Sequence, residues 1–204
     1  MFITFEGIEG SGKSTQRQLL MEYLTDSKIP FVVTREPGGT EFGTHMREVL
    51  LSKDSRITTN RSELFLFAAD RTEHINQVIQ PALNEGKWVV CDRYIDSTFA
   101  YQYGGRQHPR QDILDIIRLT DALEPDLTFF LDVSVEEGLR RARQRGVLDR
   151  FEQETFDFHQ RVRAAYLECA SLNPHRIVSI MAEGLESAAI FESIKQEIKH
   201  RSVL

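Results

Sequence analysis

The chain contains 204 residues, of which 41% are hydrophobic and 27% are charged, and its formal net charge is −6. A chain of this length is expected to form a single domain whose core needs neither disulfides nor a structural metal. The acidic balance disfavours a general nucleic-acid binder, because such proteins usually carry a strongly basic face.

The cysteines and the apolar segments bear on the cellular compartment. Cys91 lies in the apolar run 88–91, which is typical of a buried thiol, and neither Cys91 nor Cys169 belongs to a Cys-x-x-Cys pair or a zinc motif. The N-terminal residues lack the charged region and the long apolar stretch of a signal peptide, and no apolar run in the sequence is long enough to cross a membrane. We therefore expect a cytoplasmic protein without membrane or nucleic-acid partners.

Strand-like and helix-like segments alternate along the whole chain. Short apolar runs predict strands at 1–6, 30–34, 87–91, 127–132 and 176–180. Helical spacing predicts helices at 13–27, in a stretch ending at Leu51, and at 61–84, 94–103, 110–122, 134–144, 153–172 and 185–201. Apolar strands that alternate with helices predict an α/β fold in three layers, with a five-stranded parallel sheet flanked by helices.

The first strand leads into a complete P-loop, Gly7-Ile8-Glu9-Gly10-Ser11-Gly12-Lys13-Ser14, and Thr15 follows it in the next helix. The glycines let the backbone surround a phosphate, and the helix N-terminus adds positive potential. We expect these residues to bind ATP, with Lys13 at the β- and γ-phosphates and Ser14 on Mg²⁺. The strand–loop–helix context predicts a fold of the P-loop NTPase type, and the lack of an Asn-Lys-x-Asp motif argues against a GTPase.

Glu9 is unusual inside a phosphate-binding loop, because a carboxylate aimed at phosphates would repel them. We therefore expect its side chain to point out of the loop. There it would either be a solvated acid, accept a hydrogen bond from a sugar hydroxyl, or act through Mg²⁺.

Polar residues follow the second and third strands directly. In parallel α/β sheets, ligands gather at the carboxyl ends of the strands. Asp92 would therefore approach Mg²⁺ or its water shell and Arg93 would bind phosphates, unless the two form a structural ion pair. The segment Thr34–Thr40, which includes Pro37, would shape an acceptor pocket or form an ordinary tight turn.

The predicted helix 61–84 carries an aromatic residue and an arginine on one face. Phe67 and Arg71 are four residues apart, a spacing that places both on the same side of a helix. An aromatic ring can stack on a base, and an arginine can donate to a carbonyl oxygen. We expect Phe65, by contrast, to belong to the core.

Together these motifs resemble thymidylate kinases along nearly the whole chain. The P-loop alone is common to many families, whereas its combination with the segments after the second and third strands and with an arginine-rich stretch is far more specific. The matching pieces are Phe5–Thr15, Thr34–Thr40, Phe67–Arg71, Asp92–Tyr94, Ser97–Gln102, Pro125–Leu127, Leu131-Asp132 and Leu148–Glu152.

The resemblance implies an enzyme that transfers the γ-phosphoryl group of ATP, with Mg²⁺ as cofactor, to dTMP, giving dTDP for dTTP synthesis. It also implies a homodimer, formed through the helices that carry the apolar face 64–79 unless that face is intramolecular core. The implied acceptor-site roles are stacking on thymine for Phe67, bonds to the base edges for Arg71, Thr98 and Gln102, phosphate binding for Arg47 and Arg93, the sugar 3′-hydroxyl for Glu9, the 2′ position for Tyr101, and proximity to the pocket for Pro37 and Ser97.

The segment 140–150 contains five arginines and one acid. Phosphoryl transfer needs positive charge around the transferring group, and positions 8–11 of the P-loop contain no arginine. A solvated, basic helix end is the ordinary alternative, and we expect it for Arg140. The resemblance implies a short lid over about residues 141–152 that carries the catalytic arginine. We predict Arg145 for that role beside Lys13 and Arg93, with Arg141 and Arg150 also near the ATP phosphates.

Two other functions compete with this interpretation. A small P-loop kinase for another acceptor would share the donor site, but Phe67, Arg71 and the segment 98–102 favour thymine. A P-loop binding protein without transfer activity would not need Lys13, Ser14, Asp92 and Arg93 together. Turnover of a panel of nucleoside monophosphates would separate these possibilities.

Overall fold

The computed structural model describes residues 1–146 and 149–202, which include five parallel strands. They are β1 (Phe2–Glu6), β2 (Phe31–Arg35), β3 (Trp88–Asp92), β4 (Leu127–Asp132) and β5 (Ile177–Met181). They pair in the spatial order β2-β3-β1-β4-β5. The predicted five-stranded parallel sheet is confirmed. Strand β1 lies at its centre and pairs with β3, so that the carboxyl ends of these two strands meet beside the P-loop.

Helices occupy the connections between the strands and cover both faces of the sheet. Their bounds are α1 (Lys13–Asp26), α2 (Glu41–Leu51), α3 (Asn60–His74), α4 (Gln80–Asn84), α5 (Ile95–Thr98), α6 (Arg110–Leu119), α7 (Val135–Arg145), α8 (Phe156–Leu172) and α9 (Ser187–Ser202). Val147 and Leu148, which belong to the predicted lid, lie outside the described residues. Among the described helices, none is both long and apolar enough to cross a membrane.

Two of the predicted helices contain π-helical segments. The segment Ile75–Ile79 joins α3 to α4, and the segment Phe99–Gly105 continues α5. A π-helical turn holds more residues than an α-helical turn and changes which side chains share a face. The helix predicted at 94–103 is present, but it is π-helical rather than α-helical from Phe99 onward, and this difference bears on the directions of Tyr101 and Gln102.

Alternate residues of β1 pack on opposite faces of the sheet. Phe2 belongs to a buried cluster with Ile75 and Ile79. Ile3 belongs to a larger cluster that includes Leu20 on α1. Since both faces of the central strand are buried under helices, β1 holds the start of the P-loop firmly in place.

The apolar residues of α3 divide between core and surface. Leu64 on α3, and Ile75 and Ile79 in the π-helical segment that follows it, are buried at 2%, 5% and 0% exposure, so these residues of the apolar face 64–79 belong to the intramolecular core. Phe65 is 55% exposed, and the expectation that it lies in the core is wrong. Cys91 is a free, buried thiol, as predicted.

Candidate active site

The loop between β1 and α1 surrounds the side chain of Lys13. Its glycines adopt positive φ angles of 137° at Gly7, 73° at Gly10 and 98° at Gly12. Lys13 Nζ donates hydrogen bonds to the carbonyl oxygens of Gly7 at 3.0 Å and Ile8 at 2.9 Å. Burial, followed by the nearby charge of Arg93, lowers the pKa of Lys13 to about 8. The ammonium group is thus held inside the loop, where phosphate oxygens would compete with these carbonyls for it.

Helix α7 packs directly against the P-loop at two glycines. A Cβ atom on Gly10 would lie 2.2 Å from the carbonyl oxygen of Gly138, and one on Gly138 would lie 2.6 Å from the carbonyl oxygen of Glu9. Arg141, one turn further along α7, donates to the Gly10 carbonyl at 3.4 Å and to Glu137 at 2.6 Å. The contact therefore fixes the arginine-bearing helix beside the phosphate-binding loop.

A broad cleft opens above the P-loop. Arg145, at the end of α7, lines it with a side chain that is 59% exposed and pairs with Glu152 at 3.0 Å. Ile8 and Ser11 are buried beneath the loop. The predicted residues that line the cleft are Glu9, Gly10, Gly12, Lys13, Ser14, Thr15, Arg47, Asp92, Arg93, Arg141 and Arg145.

Asp92 ends β3 beside the P-loop. Its Oδ2 atom accepts a hydrogen bond from Arg17 on α1 at 3.2 Å. Its Oδ1 atom is buried and has no partner among the described residues. Ser14, which lines the same cleft, is exposed. Asp92 therefore pairs with Arg17 rather than with its neighbour Arg93, and it keeps one oxygen atom free for a further partner.

Arg93 lies between the cleft and a second cavity and lines both. Its backbone has a φ of 67°, in the left-handed region that non-glycine residues rarely adopt. Nη1 donates to the Gly7 carbonyl at 2.9 Å and to the Tyr166 hydroxyl at 3.0 Å, and Nη2 donates to Glu9 at 2.8 Å. Backbone and side-chain contacts together hold the guanidinium at the end of the P-loop.

Glu9 points out of the phosphate-binding loop, as expected, but it is not a solvated acid. Its side chain is 11% exposed and accepts hydrogen bonds from Arg93 and from the Tyr101 hydroxyl. Burial alone would raise the pKa of Glu9, but Arg93, Lys13 and Tyr101 outweigh it and lower that pKa. The carboxylate is therefore charged near neutral pH and lies at the entrance to the second cavity.

The second cavity lies between the carboxyl ends of β2 and β3, helix α3 and the π-helical segment after α5. Phe67 lines one side of it, with its ring 6.0 Å from the ring of Phe151. All ten predicted acceptor-site residues line this cavity, namely Glu9, Pro37, Arg47, Phe67, Arg71, Arg93, Ser97, Thr98, Tyr101 and Gln102. It combines an apolar ring with polar groups at one end and cations at the other.

Arg71 and Gln102 form the buried polar end of the cavity. Arg71 donates to Glu36 from Nε at 2.9 Å and from Nη2 at 2.7 Å, and to the Thr98 hydroxyl at 2.7 Å. Its Nη1 atom is buried without a hydrogen-bond partner among the described residues. An unpaired buried donor is costly, so this atom is available to a ligand oxygen that enters the cavity.

The opposite end of the cavity is cationic and adjoins the P-loop cleft. Arg47 donates to the Pro37 carbonyl at 2.9 Å and lines both spaces. Burial, followed by the charges of Arg35 and Arg93, lowers the pKa of Arg47. The guanidinium groups of Arg35, Arg47 and Arg93 all line the P-loop cleft, and together they form a site for an anion.

Arg150, unlike Arg141 and Arg145, does not line the P-loop cleft. It donates from Nε to the Leu50 carbonyl at 2.8 Å and pairs with Glu63 at 2.7 Å. The structure thus brings Arg141 and Arg145, but not Arg150, to the P-loop cleft. The proposed contact between Arg150 and ATP phosphates stays a prediction.

Sequence reasoning missed several residues that hold the predicted ones in place. Glu36 accepts a hydrogen bond from Arg71, and the Tyr166 hydroxyl accepts one from Arg93. The Glu63 carboxylate lies 3.0 Å from the Arg106 guanidinium. Glu63 could have been found, because it lies four residues before Phe67 on the helix face that leads to Arg71. The sequence holds no comparable signal for Tyr166, which reaches the site from another helix.

Comparison with known proteins gives a consistent family. The family model described as thymidylate kinase matches residues 5–194. Thymidylate kinase of Nostoc punctiforme is 46% identical over 199 residues, covering 96% of this chain and 93% of its own, and that of Exiguobacterium sp. is 48% identical over 184 residues, covering 90% and 87%. A solved thymidylate kinase from Ehrlichia chaffeensis superposes with a TM-score of 0.80 at 35% identity, covering 98% of both chains. The chain belongs to the thymidylate kinase family.

Proposed function

We propose that the chain transfers the γ-phosphoryl group of ATP to dTMP, giving dTDP. The observation that supports the proposal is that two cavities lie side by side. One is at the P-loop, and the other has a base-sized polar end. They share a wall made of Glu9, Glu36, Arg47, Arg93 and Asp149. A donor bound in one and an acceptor bound in the other would bring their phosphates together at this wall.

At the donor side, Lys13 would exchange its bonds to the Gly7 and Ile8 carbonyls for bonds to phosphate oxygens. Arg141 and Arg145 would add positive charge from α7, and Arg145 would have to leave Glu152 to do so. Charge spreads over the transferring group in the transition state, so preorganised cations lower the barrier. We propose Lys13, Arg93 and Arg145 as the catalytic residues.

At the acceptor side, Arg47 and Arg93 would hold the dTMP phosphate at the shared wall. The attacking oxygen of a nucleoside monophosphate is already anionic, so no strong general base is needed. Glu9 would accept a hydrogen bond from the sugar 3′-hydroxyl, and Tyr101 would occupy the space that a 2′-hydroxyl requires. The sugar would thus be fixed between the phosphate and the base.

The base would lie against Phe67 at the buried end of the cavity. The free Nη1 of Arg71 would donate to a carbonyl oxygen of thymine, and Gln102 and Thr98 would meet its other polar edges. Pro37 and Ser97 would complete the walls. This arrangement would select a pyrimidine with an exposed carbonyl.

The residues near the phosphates suit a hard cation bound with ATP. Asp92 keeps a buried oxygen atom without a partner among the described residues, and Ser14 exposes its hydroxyl in the same cleft. Oxygen ligands of this kind are those that Mg²⁺ prefers. Asp92, directly or through water, and Ser14 would hold Mg²⁺, which neutralises phosphate charge when bound.

The organisation of the whole protein completes the proposal. A single nucleoside-monophosphate kinase domain spans residues 1–204, with a lid at about 141–152. A homodimer in the cytoplasm is the assembly that the family resemblance implies. Phe65, exposed on α3, is the apolar residue that we assign to the interface.

An acceptor panel tests the proposed function. Purified protein is mixed with Mg·ATP and each common ribo- and deoxynucleoside monophosphate, and nucleoside diphosphate formation is measured by chromatography. We expect dTMP to give the highest kcat/KM, with dUMP as the nearest competitor because it shares the polar edges of thymine. A clear preference for another acceptor would overturn the proposal, as would ATP binding without transfer to any acceptor.

A further inference from the structure

The wall shared by the two cavities contains a largely buried carboxylate, that of Glu36, which holds Arg71. Both Nε and Nη2 of Arg71 donate to Oε2 of Glu36, at 2.9 and 2.7 Å. The other oxygen of Glu36 bonds His74 Nδ1 at 2.9 Å, and His74 Nε2 bonds the Thr34 hydroxyl at 2.6 Å. Glu36 and His74 are 5% and 0% exposed, so this chain of contacts is shielded from water. It leaves Nη1 of Arg71 as the donor that faces the cavity.

A second buried carboxylate stands behind Gln102. Glu63, 1% exposed, receives Nε and Nη2 of Arg106 at 3.0 and 3.1 Å and lies 3.5 Å from Nε2 of Gln102. Arg150 pairs with the same carboxylate at 2.7 Å. Glu63 therefore faces the guanidinium groups of two arginines, and its carboxylate oxygens act as hydrogen-bond acceptors toward its neighbours.

The polarity of Gln102 follows from this neighbour. An amide side chain has one donating end and one accepting end, and only the donating NH₂ end can bond to a carboxylate oxygen that acts as an acceptor. With that end turned to Glu63, Gln102 presents its carbonyl oxygen to the cavity that it lines. The base end of the cavity thus offers a donor from Arg71 and an acceptor from Gln102.

We propose that Glu36 and Glu63 are positioning residues of the base pocket: Glu36 places the donor Nη1 of Arg71, and Glu63 turns the carbonyl oxygen of Gln102 toward the cavity, so that the pocket accepts a base with a carbonyl beside an N–H group. The inference rests on the proposed function, because it assigns this pocket to the base of the acceptor nucleotide. Thymine offers O4 as an acceptor and N3–H as a donor, which match Arg71 and Gln102. A 4-amino pyrimidine reverses both groups and would leave two buried polar groups unpaired.

The test compares dTMP with 5-methyl-dCMP, which has the same methyl group and shape and differs only in the polarity of positions 3 and 4. In wild-type protein we expect kcat/KM to favour dTMP by about 10³-fold or more, since a site built for hydrogen bonds rejects a mismatched analogue strongly. Glu36→Gln and Glu63→Gln should each lower this ratio by about tenfold or more. The introduced glutamine side chain no longer holds Arg71 or Gln102 in the single orientation that matches thymine.

The matched control is Asp70→Asn, the same carboxylate-to-amide change on α3 at a residue that is also 1% exposed. Asp70 accepts a hydrogen bond from the backbone N–H of Gly38 at 3.1 Å. It makes no hydrogen bond to Gln102 or Arg71 among the residues that the structure describes. It should leave the ratio of dTMP to 5-methyl-dCMP unchanged, even where kcat falls. A structural effect alone would lower turnover of both nucleotides together.

The outcomes separate the two proposals. If wild-type protein does not phosphorylate dTMP, the proposed function fails. If it phosphorylates dTMP and 5-methyl-dCMP equally well, or if it prefers dTMP and both glutamine variants keep that preference, the positioning role is overturned while the function stands. Should a glutamine variant not fold, Glu36→Asp or Glu63→Asp replaces it, because aspartate withdraws the carboxylate by one methylene. The same decrease in the ratio of kcat/KM for dTMP over 5-methyl-dCMP is expected.

Discussion

Tyr101 donates its phenolic hydroxyl to the Glu9 carboxylate, 2.6 Å from Oε1 and 2.7 Å from Oε2. This contact joins the π-helical segment after α5 to the P-loop. Because Glu9 also pairs with Arg93, one carboxylate links the donor loop, the acceptor pocket and the cation between them. In the proposed function, the charge of Glu9 would therefore act on both the bound ATP and the bound dTMP.

Replacing Tyr101 with Phe should make dTMP binding more sensitive to acid. Tyr101 is one of the groups that lower the pKa of Glu9, so its removal raises that pKa. A carboxylate whose pKa is lowered is fully charged above its ordinary pKa. It stays largely charged until the pH falls through the lowered pKa, where it is protonated and its charge is lost. Titration of the dTMP Kd from about pH 7 to pH 4 should show the loss at higher pH in the variant. Superimposable profiles would contradict this role.

ATP binding should take up a proton in alkaline solution. The pKa of Lys13 is lowered to about 8, chiefly by burial and then by Arg93. Below that pH Lys13 is charged with or without ATP, and above it the phosphates raise the pKa and draw a proton to the amine. Calorimetry in two buffers of different ionisation enthalpy should detect the uptake near pH 9 and almost none near pH 6.5. Lys13→Arg, permanently charged, should abolish the pH-dependent difference.

Arg145→Ala should lower kcat by about 10³-fold, in the range of an arginine finger. The matched control is Arg140→Ala. The two side chains are 59% and 56% exposed, both lie on α7 and each pairs with a glutamate, but only Arg145 lines the P-loop cleft. Steady-state turnover with saturating ATP and dTMP should be near normal for Arg140→Ala. Near-normal turnover of Arg145→Ala would remove Arg145 from the mechanism.

Phe65→Gln should weaken the proposed homodimer. Phe65 is 55% exposed on α3, and Leu172, 57% exposed on α8, serves as the control for the loss of an exposed apolar side chain. Sedimentation velocity at decreasing concentrations should show dissociation of Phe65→Gln at concentrations where wild-type protein and Leu172→Gln stay dimeric. If Phe65→Gln dissociates no more readily than Leu172→Gln, the interface lies elsewhere.

Glu6→Gln should reduce the decrease in the free energy of unfolding that occurs as pH rises from acid to neutral. Burial, reinforced by Asp96, raises the pKa of Glu6 to about 7. The folded protein then binds a proton that the unfolded chain releases, so the free energy of unfolding falls as pH rises from about 4.5 to 7. Urea unfolding at about pH 5 and pH 8 should show a smaller difference in the variant than in wild-type protein. An equal difference would mean that Glu6 does not titrate in this range.

The parts of the site that follow from local sequence were predictable. The P-loop and the residues after β2 and β3 lie where they do because each follows a strand directly, and parallel strands end at one edge. Phe67 and Arg71 share a face because helical spacing dictates it. These rules need no knowledge of which distant elements meet.

Other features depend on partners that are far away in the chain. Glu36 meets Arg71 across 35 positions, and Glu63 meets Arg106 across 43. Periodicity indicates that such residues face inward, but it does not identify the residue opposite. For the same reason Phe65 was wrongly placed in the core, since an apolar residue beside a buried face looks the same whether or not another element covers it.

The glycine contact between the P-loop and α7 makes positions 10 and 138 mutually dependent. A side chain at either position would collide with backbone of the other element, and no rotamer change relieves a clash with a carbonyl oxygen. A substitution at Gly10 would be tolerated only if α7 shifted, and that shift would carry Arg141 and Arg145 away from the cleft. A single substitution at either position would therefore damage the phosphate loop and displace the arginines of α7 at the same time.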